Sequence, residues 1–282
     1  MAPVLGDRAI GSITRADVQA LVDGWASKKA PSTVGRQYSC LRAIFAFAEA
    51  DERIVRSPCR GIRLPQVHLV DRPELQAEQL SALAEALGPA EGPMMWLGAV
   101  LGLRWAEVAG LTVDRVNFLA GRVTVGRQLT RQRVIAAPKS AAGKRSLAAP
   151  SWLMEDLAAV LARRDLTAAD GDTLVFVNRD EGPLDYSDWR RRVWGPACVQ
   201  AQLPHLRFHN LRSTAATALV AAGVDIKTAQ RRLGHSSPHV TLALYARATA
   251  SADRQAAELV GDMLRSHRSI DGAASKRAHR ST

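Results

Sequence analysis

Between Val116 and Leu147 the spacing of apolar residues switches from the helical period to a period of two, and this interruption constrains the fold more than any other feature of the chain. Val116-Asn117-Phe118-Leu119, a turn at Ala120-Gly121, and Arg122-Val123-Thr124-Val125 predict a β-hairpin, with a third strand around Arg145-Ser146-Leu147. On either side the pattern is helical. Thr14 can cap a first helix, with Asp17 reaching back, and Val18, Leu21, Val22 and Trp25 form its stripe. Pro31-Ser32-Thr33 opens a longer helix, striped by Tyr38, Leu41, Ile44, Phe45 and Ala48, that fades near Asp51-Glu52. Further helices are expected at 77–88, at 92–102, from Trp105 to Leu111, and from a Ser151 cap to about Arg164. Thr173-Leu174-Val175-Phe176 predicts a short buried strand. From Tyr186 to Arg268 the helical pattern returns, broken at Pro204, Gly223, Gly234 and Pro238.

The fold class that follows is mainly α with a small β-sheet, an α+β chain of two domains. Residues 1–65 are expected to form a small helical domain, 66–74 a linker and 75–262 the second domain. Residues 263–282, small, polar and basic, are expected to be a disordered tail. The longest apolar run, Pro93 to Leu103, is short of the ~20 residues that span a bilayer. Its Gly98-x-x-x-Gly102 therefore reads as close helix packing, and no membrane partner is expected. The opening Met-Ala-Pro-Val-Leu-Gly-Asp has no basic stretch leading into an apolar one, so no secretion signal is expected. Cys40, Cys59 and Cys198 are odd in number and far apart. They suggest reduced thiols and a cytoplasmic location, with neither a disulfide framework nor a zinc spacing.

Charge says more about partners. The 282 residues carry 38 Lys and Arg against 27 Asp and Glu, a formal net charge of +11. From Arg115 to Pro150 there is no acidic residue, while Arg115, Arg122, Arg127, Arg131, Arg133, Lys139, Lys144 and Arg145 are all basic. A merely solvated face mixes both signs, so this stretch points to a polyanion such as nucleic acid.

No metal-ligand spacing, hydrolase elbow, P-loop or dinucleotide fingerprint is present, so neither metal nor cofactor is expected. Three other stretches stand out: Gly102-Leu103-Arg104-Trp105-Ala106-Glu107, then Phe208-His209-Asn210-Leu211-Arg212, then Leu233-Gly234-His235 with Tyr245 ten residues after the histidine. With the basic loop Pro138-Lys139-Ser140 between the first two, the ordered set resembles the tyrosine site-specific recombinases of the phage integrase family. That resemblance covers nearly the whole chain. It implies a helical core-binding domain over 13–65 and a catalytic domain over 75–262.

The resemblance implies catalytic roles for Arg104, Glu107, Lys139, His209, Arg212, His235 and Tyr245, and the chemistry agrees. Arg104 and Arg212 suit a phosphate clamp, because a guanidinium donates two parallel hydrogen bonds and keeps its charge. Arg104 sits among apolar residues and is expected to be buried, oriented by Glu107 one turn on. His209 and His235 would bond the phosphate or assist proton transfer, imidazole titrating near neutrality. Lys139 is the general-acid candidate for the departing 5′ oxygen, with Lys144 the alternative. Tyr245 is the nucleophile; Tyr38 reads as core, and Tyr186 as packing or a DNA-side contact.

The implied activity is site-specific cutting and rejoining of double-stranded DNA through a 3′-phosphotyrosyl intermediate. It needs neither metal nor ATP, and its expected assembly is a homotetramer on two DNA sites. A helix from about Thr249 to Leu264 would pack on a neighbouring subunit. Integrases of this kind commonly carry an arm-binding domain ahead of the core-binding one. A start about a dozen residues before Ile13 reads either as an armless member or as the middle of a longer integrase. The alternatives are a non-catalytic DNA-binding relic and a type IB topoisomerase-like activity.

Overall fold

The computed structural model describes residues 2–67, 75–138, 141–235 and 242. By its contacts the chain divides between Pro73 and Glu74 into two compact units.

In the first unit a short helix α1 (Ala2–Leu5) and a 3-10 turn (Ile10–Ser12) precede α2 (Arg15–Ala26) and α3 (Pro31–Ala50). The Thr14–Asp17 capping box forms as the spacing predicts: Asp17 accepts from the Thr14 backbone N–H at 2.8 Å, and Thr14 Oγ1 accepts from Asp17 N–H at 3.3 Å. Val18, Leu21, Val22 and Trp25 bury against Val34, Tyr38, Leu41 and Phe45. Ile44 corrects the expected stripe. It lies 49% exposed, one position off the face that Leu41, Phe45 and Ala48 bury. The irregular segment after α3 is strapped to the helices by hydrogen bonds. Arg15 Nη2 donates to Gly61 O at 2.9 Å, Gln19 and the Arg63 backbone exchange bonds at 2.9 and 3.2 Å, and the Tyr38 hydroxyl donates to Cys59 O.

The second unit is built on α4 (Ala77–Leu101), two helical stretches joined at a kink, as the sequence predicts. Gly88 breaks its helical geometry with φ +74°, and Pro89, which lacks an N–H, follows the break. A left-handed Gly102 ends it. Gly98 and Gly102 are close-packing positions: a Cβ on Gly98 would sit 3.0 Å from Phe208, and one on Gly102 would sit 2.6 Å from Leu233. The two glycines thus seat α4 against α9 (Phe208–Ala221) and against the end of α10 (Ile226–Leu233).

Next in the chain come α5 (Trp105–Ala109) and the predicted sheet, β1 (Val116–Asn117), β2 (Arg122–Val125) and β5 (Arg145–Ala148) in antiparallel order β1-β2-β5. Val123 pairs with both Val116 and Leu147. Alternation along β5 turns Arg145 and Leu147 inward and Ser146 and Ala148 outward. A second hairpin, β3 (Gln128–Leu129) with β4 (Ile135–Ala136), is not foreseen by the sequence, because each strand has only two residues. A Cβ on Gly110 would fall 2.7 Å from Leu129 N, so α5 and this hairpin touch backbone to backbone.

Helix α6 (Ser151–Ala162) starts with Ser151 inside the helix and the extended Pro150 at its cap. The predicted serine cap is therefore replaced by a proline boundary with no side-chain cap. The Thr173–Phe176 strand is also corrected. Only an isolated bridge, Thr112 to Leu174, forms, although Val175 and Phe176 are buried. Helix α7 (Tyr186–Trp189), a π turn (Arg190–Trp194) and α8 (Gly195–Gln200) stack Trp189 on Trp194 at 5.4 Å and set both against Phe208 at the start of α9. Among the described residues no helix is long and apolar enough to cross a membrane.

Candidate active site

Arg104 sits at the N-cap of α5 in an extended conformation, and Glu107 occupies the third helical position. The three-residue spacing thus has a local cause. Glu107 reaches back to accept the Arg104 backbone N–H at 2.8 Å, satisfying a helix-end donor, and accepts Arg104 Nη1 at 2.9 Å. The Arg104 side chain is 42% exposed, correcting the expectation that it is buried. Its other nitrogen, Nη2, lies 3.5 Å from Gly234 O.

The buried arginine beside Glu107 is Arg145, which sequence reasoning did not single out. Its Nη1 and Nη2 donate to the two Glu107 oxygens at 3.1 and 2.9 Å, a fork-to-fork pair with both side chains under 5% exposed. Burial alone would push the Glu107 carboxyl up. The hydrogen bonds and charges of Arg145 and Arg104 outweigh it and hold the carboxyl below its ordinary value, so it is an anion at neutral pH. The signal for Arg145 was in the strand alternation, which places it on the Leu147 face; an inward arginine requires a buried anion.

Arg212 enters from α9, buried, and donates to Gly102 O and Leu233 O, the carbonyls that close α4 and α10. Burial, then the like charge of Arg104, lowers its pKa to about 9, which leaves it charged at neutral pH. His209, three residues earlier, is exposed on the same helix. His235 follows the left-handed Gly234 that ends α10, and Gln230 exchanges bonds with its backbone at 3.1 and 3.2 Å. Burial, then Arg212, Arg104, Arg145 and His209, lower the His235 pKa to about 4. The ring is therefore neutral at pH 7, which corrects the expectation of titration near neutrality. A neutral imidazole offers one hydrogen-bond donor and one acceptor, and with a lowered pKa it is a weaker base than a free one.

Arg104, Glu107, His209, Arg212 and His235 are thus brought into one neighbourhood from α5, α9 and the end of α10. Lys139 and Tyr245 lie outside the described residues, as does the expected helix at 249–264. Lys144 is exposed and borders a groove of about 530 Å³ with Arg145, Lys227, Arg231 and His235. Three guanidiniums face one carboxylate here, a surplus of fixed positive charge suited to a phosphoryl group whose oxygens gain negative charge during reaction. Among the described residues no three His, Cys, Asp or Glu gather as a metal-ligand set. Of the other two tyrosines, Tyr38 is buried in the first unit, and Tyr186 packs edge-on to Trp105 at 4.9 Å.

The chain resembles known proteins in sequence and in fold. The integrase of Mycobacterium phage FRAT1 is 25% identical over 266 residues, covering 93% of this chain and 79% of that protein. Tyrosine recombinase XerD of Pseudomonas aeruginosa is 28% identical over 219 residues, covering 76% and 70%. The structure of a Tn1549 transposon integrase in complex with transposon right-end DNA superposes with a TM-score of 0.76 at 22% identity. That match covers 92% of this chain and 90% of the other, and carries the likeness of fold. Residues 74–252 match the profile of the phage integrase family over well more than half of the chain, and the chain belongs to that family.

Proposed function

We propose that this chain is a site-specific recombinase of a phage or other mobile element, acting in the cytoplasm. On this reading it cuts and rejoins double-stranded DNA at the basic site of its second unit. The observation that supports the reading is the convergence of Arg104, Arg145 and Arg212 around Glu107 and His235. Arg104 and Arg212 hold the nonbridging oxygens of the scissile phosphate, and His209 and the neutral His235 complete the hydrogen bonding. Tyr245 Oη, its proton given up to solvent as the nearby guanidiniums favour the phenolate, attacks phosphorus, the bond to the 5′ oxygen breaks, and Lys139 supplies the proton that this oxygen takes up. The phosphotyrosyl ester keeps the bond energy. Attack by another strand's 5′ hydroxyl then restores the phosphodiester, frees the tyrosine and requires no ATP.

Residues 1–65 serve as the core-binding domain, 66–74 as the linker, 75–262 as the catalytic domain and 263–282 as a tail. Four copies act on two DNA sites. The test is covalent capture. Nicked duplexes of randomised sequence, which lose the released fragment and so trap the intermediate, are incubated with the protein and washed in hot detergent. Retention of a defined sequence by the wild type, and none by Tyr245→Phe, is expected. No retained DNA for the wild type overturns the reading.

A further inference from the structure

The Arg145 side chain is only 3% exposed, yet it makes hydrogen bonds to three separate parts of the second unit. It grips both Glu107 oxygens, its Nη1 donates to Gly143 O at 3.2 Å in the loop before β5, and its Nε donates to Arg232 O at 2.7 Å in the last turn of α10. These are the places from which catalytic groups project. Arg104 caps the helix of Glu107, and His235 comes three residues after Arg232.

Stability is a poor explanation for such a pair. Removing two charges from water costs about as much as their attraction returns, and well-packed apolar residues of the same volume hold a fold as well or better. The pair does something apolar residues could not. Glu107 Oε1 accepts from Arg145 and Arg104 together. With Arg145 occupying one side of the carboxylate, Glu107 engages, besides the Arg104 backbone N–H, a single guanidinium nitrogen of Arg104 and leaves the rest of that guanidinium partly exposed. Without Arg145, the carboxylate is free to take both Arg104 nitrogens and turn them away from a phosphate.

The backbone at the other end is shaped around the same side chain. A Cβ on Gly234 would lie 2.9 Å from both Arg145 Nη1 and Ala142 O, and Gly234 has φ +63°. The glycine before His235 is needed for the turn and also for the space that Arg145 fills.

We infer that Arg145 is a positioning residue of the strand-cutting reaction: through Glu107 it sets the Arg104 edge presented to the phosphate, and through Arg232 O it sets the corner that carries His235. The inference rests on the recombinase reading above.

The test uses a nicked duplex recovered by covalent capture on the wild-type chain, made with either a normal scissile phosphate or a methylphosphonate. The methyl group removes one negative charge, so cleavage of that duplex depends less on a correctly aimed Arg104. Arg145→Lys keeps the charge and loses the fork. Its first-turnover cleavage of the normal duplex should fall about 10²-fold, the scale of one misplaced preorganised donor, with duplex affinity within about threefold of wild type. On at least one methylphosphonate diastereomer the gap should close to within about tenfold. Cleavage of the normal duplex at the wild-type rate, lost affinity, or an equal gap on phosphate and both diastereomers overturns the inference.

Should Arg145→Lys not fold, Arg145→Gln combined with Glu107→Gln replaces the ion pair by an amide pair and is read by the same criteria. A wild-type chain that captures no duplex defeats the recombinase reading and this inference together. A wild-type chain that cuts, beside a variant that cuts as well, defeats only the role of Arg145.

Discussion

One ion pair from each unit shows two opposite settings. In the first, Arg8 and Asp17 meet at the surface with side chains 39% and 29% exposed, and the interior is apolar. In the second, Arg145 and Glu107 meet in the interior with 3% and 4% exposed, among residues that touch α5, β5 and α10. The surface pair trims a helix end that apolar packing already holds, and water screens it. The interior pair carries a desolvation cost and sits in the proposed active site, where fixed charge would be of use. A fold that only had to be stable would follow the first plan throughout; the second unit follows the other plan at one place.

The sharpest test of that division concerns the tyrosines. Tyr245→Phe should bind DNA like the wild type and form no detergent-resistant adduct, a complete loss from removing one oxygen. Tyr38→Phe, in the first unit, should keep cleavage and lose only the hydroxyl bond to Cys59 O. Covalent capture followed by gel electrophoresis reads both, and an adduct from Tyr245→Phe would dissolve the contrast.

Next comes removal of one partner from each pair. Glu107→Ala leaves Arg145 buried without its anion and should lower the unfolding free energy of the second unit by about 3–5 kcal/mol. Asp17→Ala should move the denaturation midpoint of the first unit far less. Equal shifts in the two variants would mean that burial does not distinguish the pairs.

Arg212→Ala should slow first-turnover cleavage by about 10²–10³ through lost charge stabilisation. It should also weaken DNA binding. Unchanged single-turnover kinetics would remove Arg212 from the clamp.

The smallest effect expected is one of pH. Folded His235 has a pKa lowered to about 4 against an ordinary 6.5. Between those values the unfolded chain binds a proton that the folded chain does not, so stability falls as pH drops through that window. Asp17 is held well below the usual carboxylate range, chiefly by Arg8, and its contribution persists until pH falls below about 3.8. Mild acid should therefore weaken the second unit before the first. Melting curves at pH 7 and pH 5 should show this, with a smaller acid-induced drop for His235→Asn than for wild type.

Much of the architecture was legible in the sequence because its causes are local. The capping box at Thr14 and the hairpin across Ala120-Gly121 each depend on residues a few positions apart, and the Gly98–Gly102 spacing is itself local although its packing partners, Phe208 and Leu233, are not. The spacing of Arg104 and Glu107 was legible for the same reason, as an N-cap and a third helical position. What escaped depends on distant partners or weak patterns. Arg145 is explained only by a carboxylate 38 positions earlier. The β3–β4 hairpin turns through Arg133, which adopts φ +58° without being glycine. The π turn at Arg190–Trp194 follows no hydrophobic period and is visible only once Trp189 and Trp194 are seen stacked.

The contact between Gly234 and Arg145 also bears on how such a chain can change over generations. A side chain at 234 collides with the guanidinium and with Ala142 O, while a shorter residue at 145 leaves a void and a buried Glu107 held by Arg104 alone. Each single step is harmful. A variant altered at 145 has already lost what a side chain at 234 would displace, so the second substitution should cost less after the first than alone. The two positions, 89 residues apart in sequence, should therefore be constrained as a pair.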